Sequence, residues 1–303
     1  MTVEVQQECL VVGVYSRRMT LQLEHHGEIN ARIKGKKIRP VCGDRVIAEP
    51  IQNEPDWLIT SICSRRNELN RPNNRGRKEI LAANLDLIIA MAAVEPEPDW
   101  FIVDRYIAAA EFMDAKAAVV LNKSDLRDPS SDTKAILDDY AKIGYSVLTC
   151  SAESGANLPQ IEALVDGKIA IIVGQSGVGK SSVINEIIRD GEQRTGELSK
   201  GSGEGRHTTV NSVMLEFAGG GAVIDSPGVR DYAPSIENIQ DISQGFREIQ
   251  EHDQNCRFAN CIHLREPNCA VKNAVDEGTI STRRYESYRR LRNTTQKLAD
   301  KFD

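Results

Sequence analysis

Apolar and polar residues alternate in short runs over the first sixty positions. Cys9-Leu-Val-Val-Gly-Val-Tyr15, Met19-Thr-Leu-Gln-Leu23, Gly27-Glu-Ile-Asn-Ala-Arg-Ile33, Asp44-Arg-Val-Ile-Ala-Glu49 and Trp57-Leu-Ile-Thr-Ser-Ile62 are rich in β-branched residues and separated by Gly, Pro, Asn and His. That period predicts five strands. Five short strands with a long positive loop fit an oligonucleotide-binding barrel. Residues 64–79 are polar, charged and interrupted by Pro and Gly, which predicts a connector. The pattern then changes. Apolar runs at Leu85–Ala93, Ala117–Leu121, Tyr145–Thr149, Ile169–Val173, Val210–Phe217 and Gly221–Asp225 alternate with helical periodicity at Trp100–Met113, Asp132–Ile143 and Leu158–Leu164. Strand and helix in turn predict a doubly wound α/β sheet with its ligand beyond the carboxyl ends of the strands. Two helices are expected near the end, Val271–Asp276 and one from about Ile280 to about Lys301.

One junction in the α/β region carries most of the chemistry. The strand Ile169–Val173 runs into Gly174-Gln175-Ser176-Gly177-Val178-Gly179-Lys180-Ser181-Ser182 and then a helical stretch. A strand, a G-x-x-x-x-G-K-[ST] turn and a helix form a phosphate loop. Its glycines let backbone N–H groups turn inward, and the helix N-terminus adds partial positive charge. Lys180 would reach the β- and γ-phosphates and stabilise charge on the transferring phosphoryl group, and the Ser181 hydroxyl would bind Mg²⁺. Asn122-Lys123-Ser-Asp125 follows another predicted strand. The Asp125 carboxylate can accept two hydrogen bonds from the guanine N1–H and exocyclic amine, a donor pair adenine lacks. Asn122 would hold the loop and Lys123 would cover the ring with its stem. Ser151-Ala152 follows a third strand, with amides suited to the guanine oxygen. Asp225-Ser-Pro-Gly228 ends the last strand, where Asp225 suits an outer contact to Mg²⁺ and the Gly228 amide suits the γ-phosphate.

Cys256, Cys261, His263 and Cys269 lie within fourteen residues. Three thiolates and an imidazole suit tetrahedral Zn²⁺, and four protein ligands leave no open position, so the ion would be structural. In a segment this short the metal would supply much of the folding energy. Charge is segregated. Residues 1–78 hold 14 basic and 9 acidic side chains, net +5, and residues 256–303 hold 10 and 6, net +4. The residues between hold 14 and 29, net -15. Two basic ends flanking an acidic middle suggest that the ends face a polyanion. Arg32, Lys34, Lys36, Lys37, Arg39 and Arg45 on the barrel can follow a phosphate backbone, as can Arg283, Arg284, Arg289, Arg290 and Arg292 on the last helix. Arg65, Arg66, Arg71, Arg75, Arg77 and Lys78 in the connector can contact nucleic acid or simply be solvated. Tyr15 has two open roles, base stacking or packing. No apolar run approaches the roughly 20 residues that span a bilayer. No secretory pattern opens the chain, and seven cysteines, an odd number, suit a reducing cytosol, so a cytoplasmic, membrane-free protein is expected.

The motif set resembles the TRAFAC translation-factor-like GTPases in rotated order. Their usual order is phosphate loop, switch threonine, D-x-x-G, N-K-x-D, S-A. Here N-K-S-D at 122 and S-A at 151 precede the phosphate loop at 174, and D-S-P-G at 225 comes last. With the barrel and the cysteine cluster, nearly the whole chain is similar to the ribosome small subunit-dependent GTPase family (RsgA, also called YjeQ). The resemblance implies three parts. They are an OB-fold RNA-binding barrel and linker at 1–78, a circularly permuted P-loop GTPase domain at 79–250 and a zinc-binding helical module at 251–303. It also implies GTP hydrolysis to GDP and phosphate that assists late maturation of the small ribosomal subunit, with rRNA contacts and turnover stimulated by that subunit. A monomer is expected. Val229 stands where many related enzymes carry a water-orienting Gln, which predicts slow unstimulated hydrolysis. The resemblance assigns His207, in Gly-Arg-His-Thr-Thr, the substitute role, with a purely structural role as the alternative. Thr208 or Thr209 would complete the Mg²⁺ shell, and spacing does not choose between them. Because so little chain follows Gly228 before the metal module, a nucleotide-dependent shift there would move that module directly. Two other functions fit the residues less well. They are a GTP-controlled RNA-binding scaffold with negligible turnover and an ATPase, which Asp125 opposes.

Overall fold

The computed structural model describes residues 6–16, 18–23, 27–35, 38–73, 77–195, 210–217, 220–225 and 239–302. The five expected strands are present as β1 (Gln7–Tyr15), β2 (Arg18–Leu23), β3 (Gly27–Ile33), β4 (Arg45–Pro50) and β5 (Trp57–Ile62). β1 pairs with β2 and β4, β2 with β3, β3 with β5 in parallel and β5 with β4, which closes a barrel. Alternation drives the closure. Val11, Met19, Leu21, Ala31, Val46, Ala48 and Ile59 point inward and are buried. Past the barrel edge, Gly13–Tyr15 of β1 pair with a strand of the α/β domain. The Tyr15 ring lies across Gly13, where a Cβ would approach its Cε2 to 2.8 Å, and this supports the packing role.

The expected connector is a hairpin, β6 (Glu68–Pro72) with β7 (Lys78–Ala83). Its composition hid it, because the outer face is a lattice of charge pairs. Arg71 meets Glu79 at 3.0 Å and Lys78 meets Glu68 at 2.8 Å, while Leu69, Leu81 and Ala82 enter the main core. At the barrel junction the buried Asp44 carboxylate accepts bonds from Arg65 Nε at 2.7 Å and Nη2 at 2.8 Å. Arg65 is therefore structural and unsuited to the nucleic-acid contact considered above.

The α/β region comprises β8 (Leu87–Ala93), α1 (Trp100–Phe112), β9 (Lys116–Asn122), α2 (Ser131–Lys142), β10 (Ser146–Thr149), α3 (Leu158–Val165), β11 (Ile169–Gly174), α4 (Lys180–Thr195), β12 (Val210–Glu216) and β13 (Ala222–Asp225). Strand order is β10-β9-β8-β11-β13-β12, and only β12 runs antiparallel to its neighbour. Unbroken apolar runs such as Leu87–Ala93 reflect burial on both faces. Ile88, Ala90 and Ala92 pack toward α1 and α2, while Leu87, Ile89 and Met91 pack toward α3 and α4. β12 then pairs with β1, so barrel and domain share one continuous sheet of eleven strands.

Beyond residue 238 lie a 3-10 helix (Ile239–Gly245), α5 (Arg247–Asp253), α6 (Ala270–Asp276) and α7 (Thr282–Phe302). The first two follow no pattern noted in the sequence. They pack with α6 and α7 against α1, around Ala108, Ile242, Phe246, Ile249, Tyr288 and Leu291. A Cβ on Gly245 would meet Ala108 at 2.7 Å and Phe112 at 2.8 Å, so only glycine permits this approach. The fully buried Arg284 bonds to Asp104 of α1 at 2.7 Å and to Glu248 of α5 at 2.6 Å. Arg283 also binds Asp104, at 2.6 Å. This corrects the expectation of a five-arginine RNA face. Arg284 and Arg292 are buried and Arg283 is paired inward, leaving Arg289 and Arg290 exposed. Charge counting along a helix does not register an acidic partner 180 residues away.

Candidate nucleotide site and metal cluster

The phosphate loop joins β11 to α4 at the carboxyl edge of the sheet. Gly177 and Gly179 have φ of 81° and 89°, and each glycine supplies the positive-φ backbone that turns amides into a common concavity. Gly174 lies against β8, where a Cβ would sit 2.0 Å from the Met91 carbonyl oxygen. Lys180 Nζ donates to the Gly174 and Gln175 carbonyls, each at 2.9 Å, and so is held across the loop. Ser181 and Ser182 begin the helix, Val178 is buried and Ser176 is exposed. β13 runs parallel to β11 and ends at Asp225.

Asn122 is the residue that gathers the site. Its Nδ2 donates to the Val178 carbonyl of the phosphate loop at 2.9 Å. Its Oδ1 accepts the Ala152 amide at 3.2 Å and the Cys150 thiol at 3.4 Å. Cys150 stays a neutral donor, because burial pushes its thiol up to about 12. Lys123 adopts a left-handed φ of 62°, and its stem passes 3.9 Å from the Cβ position of Gly179. Ser151 Oγ donates to the Asp125 carboxylate at 2.5 Å and accepts the Ser154 amide at 3.0 Å. Thus Asn122, Lys123, Asp125, Ser151, Ala152 and the loop from Gly174 converge, although 56 residues separate Asn122 from Val178. Beside them opens a cavity of about 660 Å³ lined by Glu95, Pro96, Glu97, Lys123, Leu126 and Arg127. His207, Thr208, Thr209 and Gly228 lie outside the described residues, as do Lys36, Lys37 and Arg75.

One link escaped the sequence reading. The Gln175 side chain accepts the amide of Asp99 at 3.3 Å, and Asp99 caps α1 through the amides of Phe101 and Ile102. The phosphate loop thereby touches the helix on which the C-terminal elements rest. No local pattern marks such a contact.

The second site lies between α5 and α6. One donor atom from each of Cys256, Cys261, His263 and Cys269 falls within 4.8 Å of the others. Cys256 Sγ and Cys269 Sγ stand 3.5 and 3.4 Å from His263 Nδ1. His263 has a positive φ of 56°, and its carbonyl accepts the Tyr285 hydroxyl from α7 at 2.5 Å. The Glu266 carboxylate braces the loop by accepting the amides of Ile262, Leu264 and Arg265. Burial raises the Cys261 thiol to about 12 and lowers the His263 imidazole. An ion that draws off the thiol protons relieves that penalty, so the donor set fits a metal.

The family model described as RsgA GTPase matches residues 62–234. The chain is 37% identical over 293 residues to the small ribosomal subunit biogenesis GTPase RsgA of Azotobacter vinelandii, covering 94% of this chain and 85% of that protein. This chain belongs to the RsgA GTPase family. The RsgA of Pseudomonas fluorescens is 40% identical over 253 residues, 83% of this chain and 74% of that one. Among solved structures, YjeQ from Thermotoga maritima superposes with a TM-score of 0.77 at 27% identity, covering 96% of this chain and 99% of its own. YloQ, described as a circularly permuted GTPase, gives 0.73 at 25% identity, with 97% and 96% covered. The family extends over barrel, α/β domain and C-terminal elements alike. No helix among the described residues is long and apolar enough to cross a membrane.

Proposed function

We propose that this RsgA-family chain binds GTP between the N-K-S-D loop and the phosphate loop. It hydrolyses GTP to GDP and phosphate during late maturation of the small ribosomal subunit. The observation that carries this is the Asn122 amide, which ties guanine loop, Ser-Ala loop and phosphate loop into one pocket. Asp125 reads the guanine edge, Lys123 covers the ring, and Ser151 orients the Asp125 carboxylate. The loop amides from Gly174 to Ser182 and the Lys180 ammonium hold the phosphates and the charge that develops on them. Ser181 and one of Thr208 or Thr209 would hold the Mg²⁺ that comes with GTP, Asp225 would support it, and the Gly228 amide would meet the γ-phosphate; the ion would neutralise charge on the phosphates. His207 orients the attacking water, which accounts for Val229 where Gln is common.

Cys256, Cys261, His263 and Cys269 hold one Zn²⁺, whose role is to fold the loop between α5 and α6. The working division is 1–78 barrel and linker, 79–250 GTPase domain and 251–303 metal module. The protein acts in the cytoplasm as a monomer on subunit rRNA. Steady-state GTP turnover with and without purified small subunits tests this. Stimulated release of phosphate from GTP and not from ATP is the expected result, and turnover indifferent to the subunit refutes it.

A further inference from the structure

We propose that the tip of the metal loop, Arg257-Phe258-Ala259-Asn260, is a single-stranded RNA contact in which the Phe258 ring stacks on an unpaired base. The inference rests on the reading that this chain works on RNA of the small subunit, and it names a chemistry that reading leaves open.

Phe258 is 41% exposed and, with Leu126, is one of two large exposed hydrophobics among the described residues. Leu126 lines the cavity beside the guanine loop. Phe258 lines neither that cavity nor the one between Glu266 and Tyr285. Cys256, Cys261 and Leu264 pack against the C-terminal core, but Phe258 between them does not join it. The ring stays outside the core with a large part of its surface in solvent, and so is available for a contact. The tip is preorganised. Cys256 and Cys261 at its two ends are metal donors, and the Cys261 amide closes a turn on the Phe258 carbonyl at 3.1 Å. Little ordering entropy is then lost on binding.

Its neighbours choose the partner. Arg257, Ala259 and Asn260 are all exposed, and the Arg257 guanidinium lies 5.5 Å from the Phe258 ring centroid. Arg265 is exposed further along the same loop. An apolar protein groove would want apolar flanks around an inserted Phe. Here the flanks are cationic and amide groups, which suit a phosphate and a base edge on either side of a stacked ring. Glu266, the nearest following carboxylate, is held against the amides of Ile262, Leu264 and Arg265 in the loop's own backbone.

The test measures binding of the full metal-loaded chain to a mixed-sequence 12-nucleotide single strand and to a duplex of equal length, across a salt series. Phe258→Ala and Phe258→Leu are expected to weaken single-strand binding about 5- to 50-fold, the contribution of one stacked base, with an unchanged salt slope. Duplex binding should move less than twofold. Phe258→Trp should restore affinity, with its added indole emission quenched by the single strand alone. Arg257→Gln should reduce the salt slope by about one. Metal content is measured in each variant. If Phe258→Ala loses its ion, the Leu and Trp pair decides. Single-strand affinity within twofold of the parent in Phe258→Leu, or equal loss on single strand and duplex, overturns the proposal. Retained RNA binding with weakened attachment to small subunits also overturns it and assigns the ring to a protein groove. Parent protein whose GTP turnover ignores small subunits would instead sink the functional reading itself.

Discussion

At the scale of single residues, the proposed guanine specificity rests on one carboxylate, Asp125, and one amide, Asn122. Exchanging Asp125 for Asn replaces an acceptor pair with a donor on one side. Asp125→Asn should weaken GTP at least about 100-fold, the value of two charge-assisted hydrogen bonds, and should gain xanthosine triphosphate, whose ring offers a carbonyl at that edge. Competition binding with the two nucleotides reads this directly. Gly179 is constrained from two sides, by its φ of 89° and by the 2.5 Å that would separate a Cβ from Asn122 Nδ2. Gly179→Ala should cost about 1–3 kcal/mol of backbone strain and pull the guanine loop off the phosphate loop. Isothermal titration with GDP is expected to show little or no binding. The motif residues were legible because each lies beside its chemistry in the chain. The Ser151–Asp125 bond and the Cys150 donor were not, because they depend on how neighbouring strands align.

At the scale of elements, α1 links the two ends of the GTPase region to the C-terminal helices. Burial alone would raise the Asp104 carboxyl. The Arg284 and Arg283 guanidinium groups, with the Ser287 and Tyr140 hydroxyls, outweigh that and hold it below the ordinary carboxylate range. A depressed folded-state value means that Asp104 stabilises the fold above its unfolded value of about 4. That contribution is lost as pH falls from there through the lower folded value. Urea unfolding between pH 5 and pH 2 should therefore show an acid loss that is smaller in Asp104→Asn. Asp104→Ala at pH 7 should cost about 3–5 kcal/mol, because Arg284 is left buried with one partner fewer. Conversely, Arg289→Gln with Arg290→Gln should leave unfolding nearly unchanged while weakening RNA binding. The hairpin at 68–83 teaches the same lesson from the other side. Its charges satisfy one another across the pair, and a linear reading saw only their polarity.

At the scale of the whole molecule, one eleven-stranded sheet and one buried ion cluster decide what can move. The segment bearing Gly228 lies outside the described residues, but the helices after it are fixed to α1 by Arg284, Asp104 and Glu248. Displacing them would break a buried charge network at a cost of about 3–5 kcal/mol. Spin labels on α1 and α7 should accordingly keep one separation in the GDP and non-hydrolysable GTP forms, and a changed separation would favour the lever at Gly228. β12 begins immediately after Thr209 and pairs with β1 of the barrel. Metal removal is the other global handle. With the Cys261 thiol raised to about 12, binding must expel protons, so a chelator should strip the ion faster at pH 6 than at pH 8. Loss of helical signal and exposure of the α1 face should accompany the release.

Strand and helix periods, the phosphate and guanine motifs, their rotated order and four candidate metal donors are legible along the chain alone. Each of these is written in side-chain type and short spacing, and short spacing survives folding. Folding settles which arginines are exposed, that the connector is a paired hairpin, and that barrel and GTPase share a sheet. Those outcomes depend on partners as distant in the chain as Gly13 and Val213. A charge or a strand edge has no fixed meaning until its partner is in place.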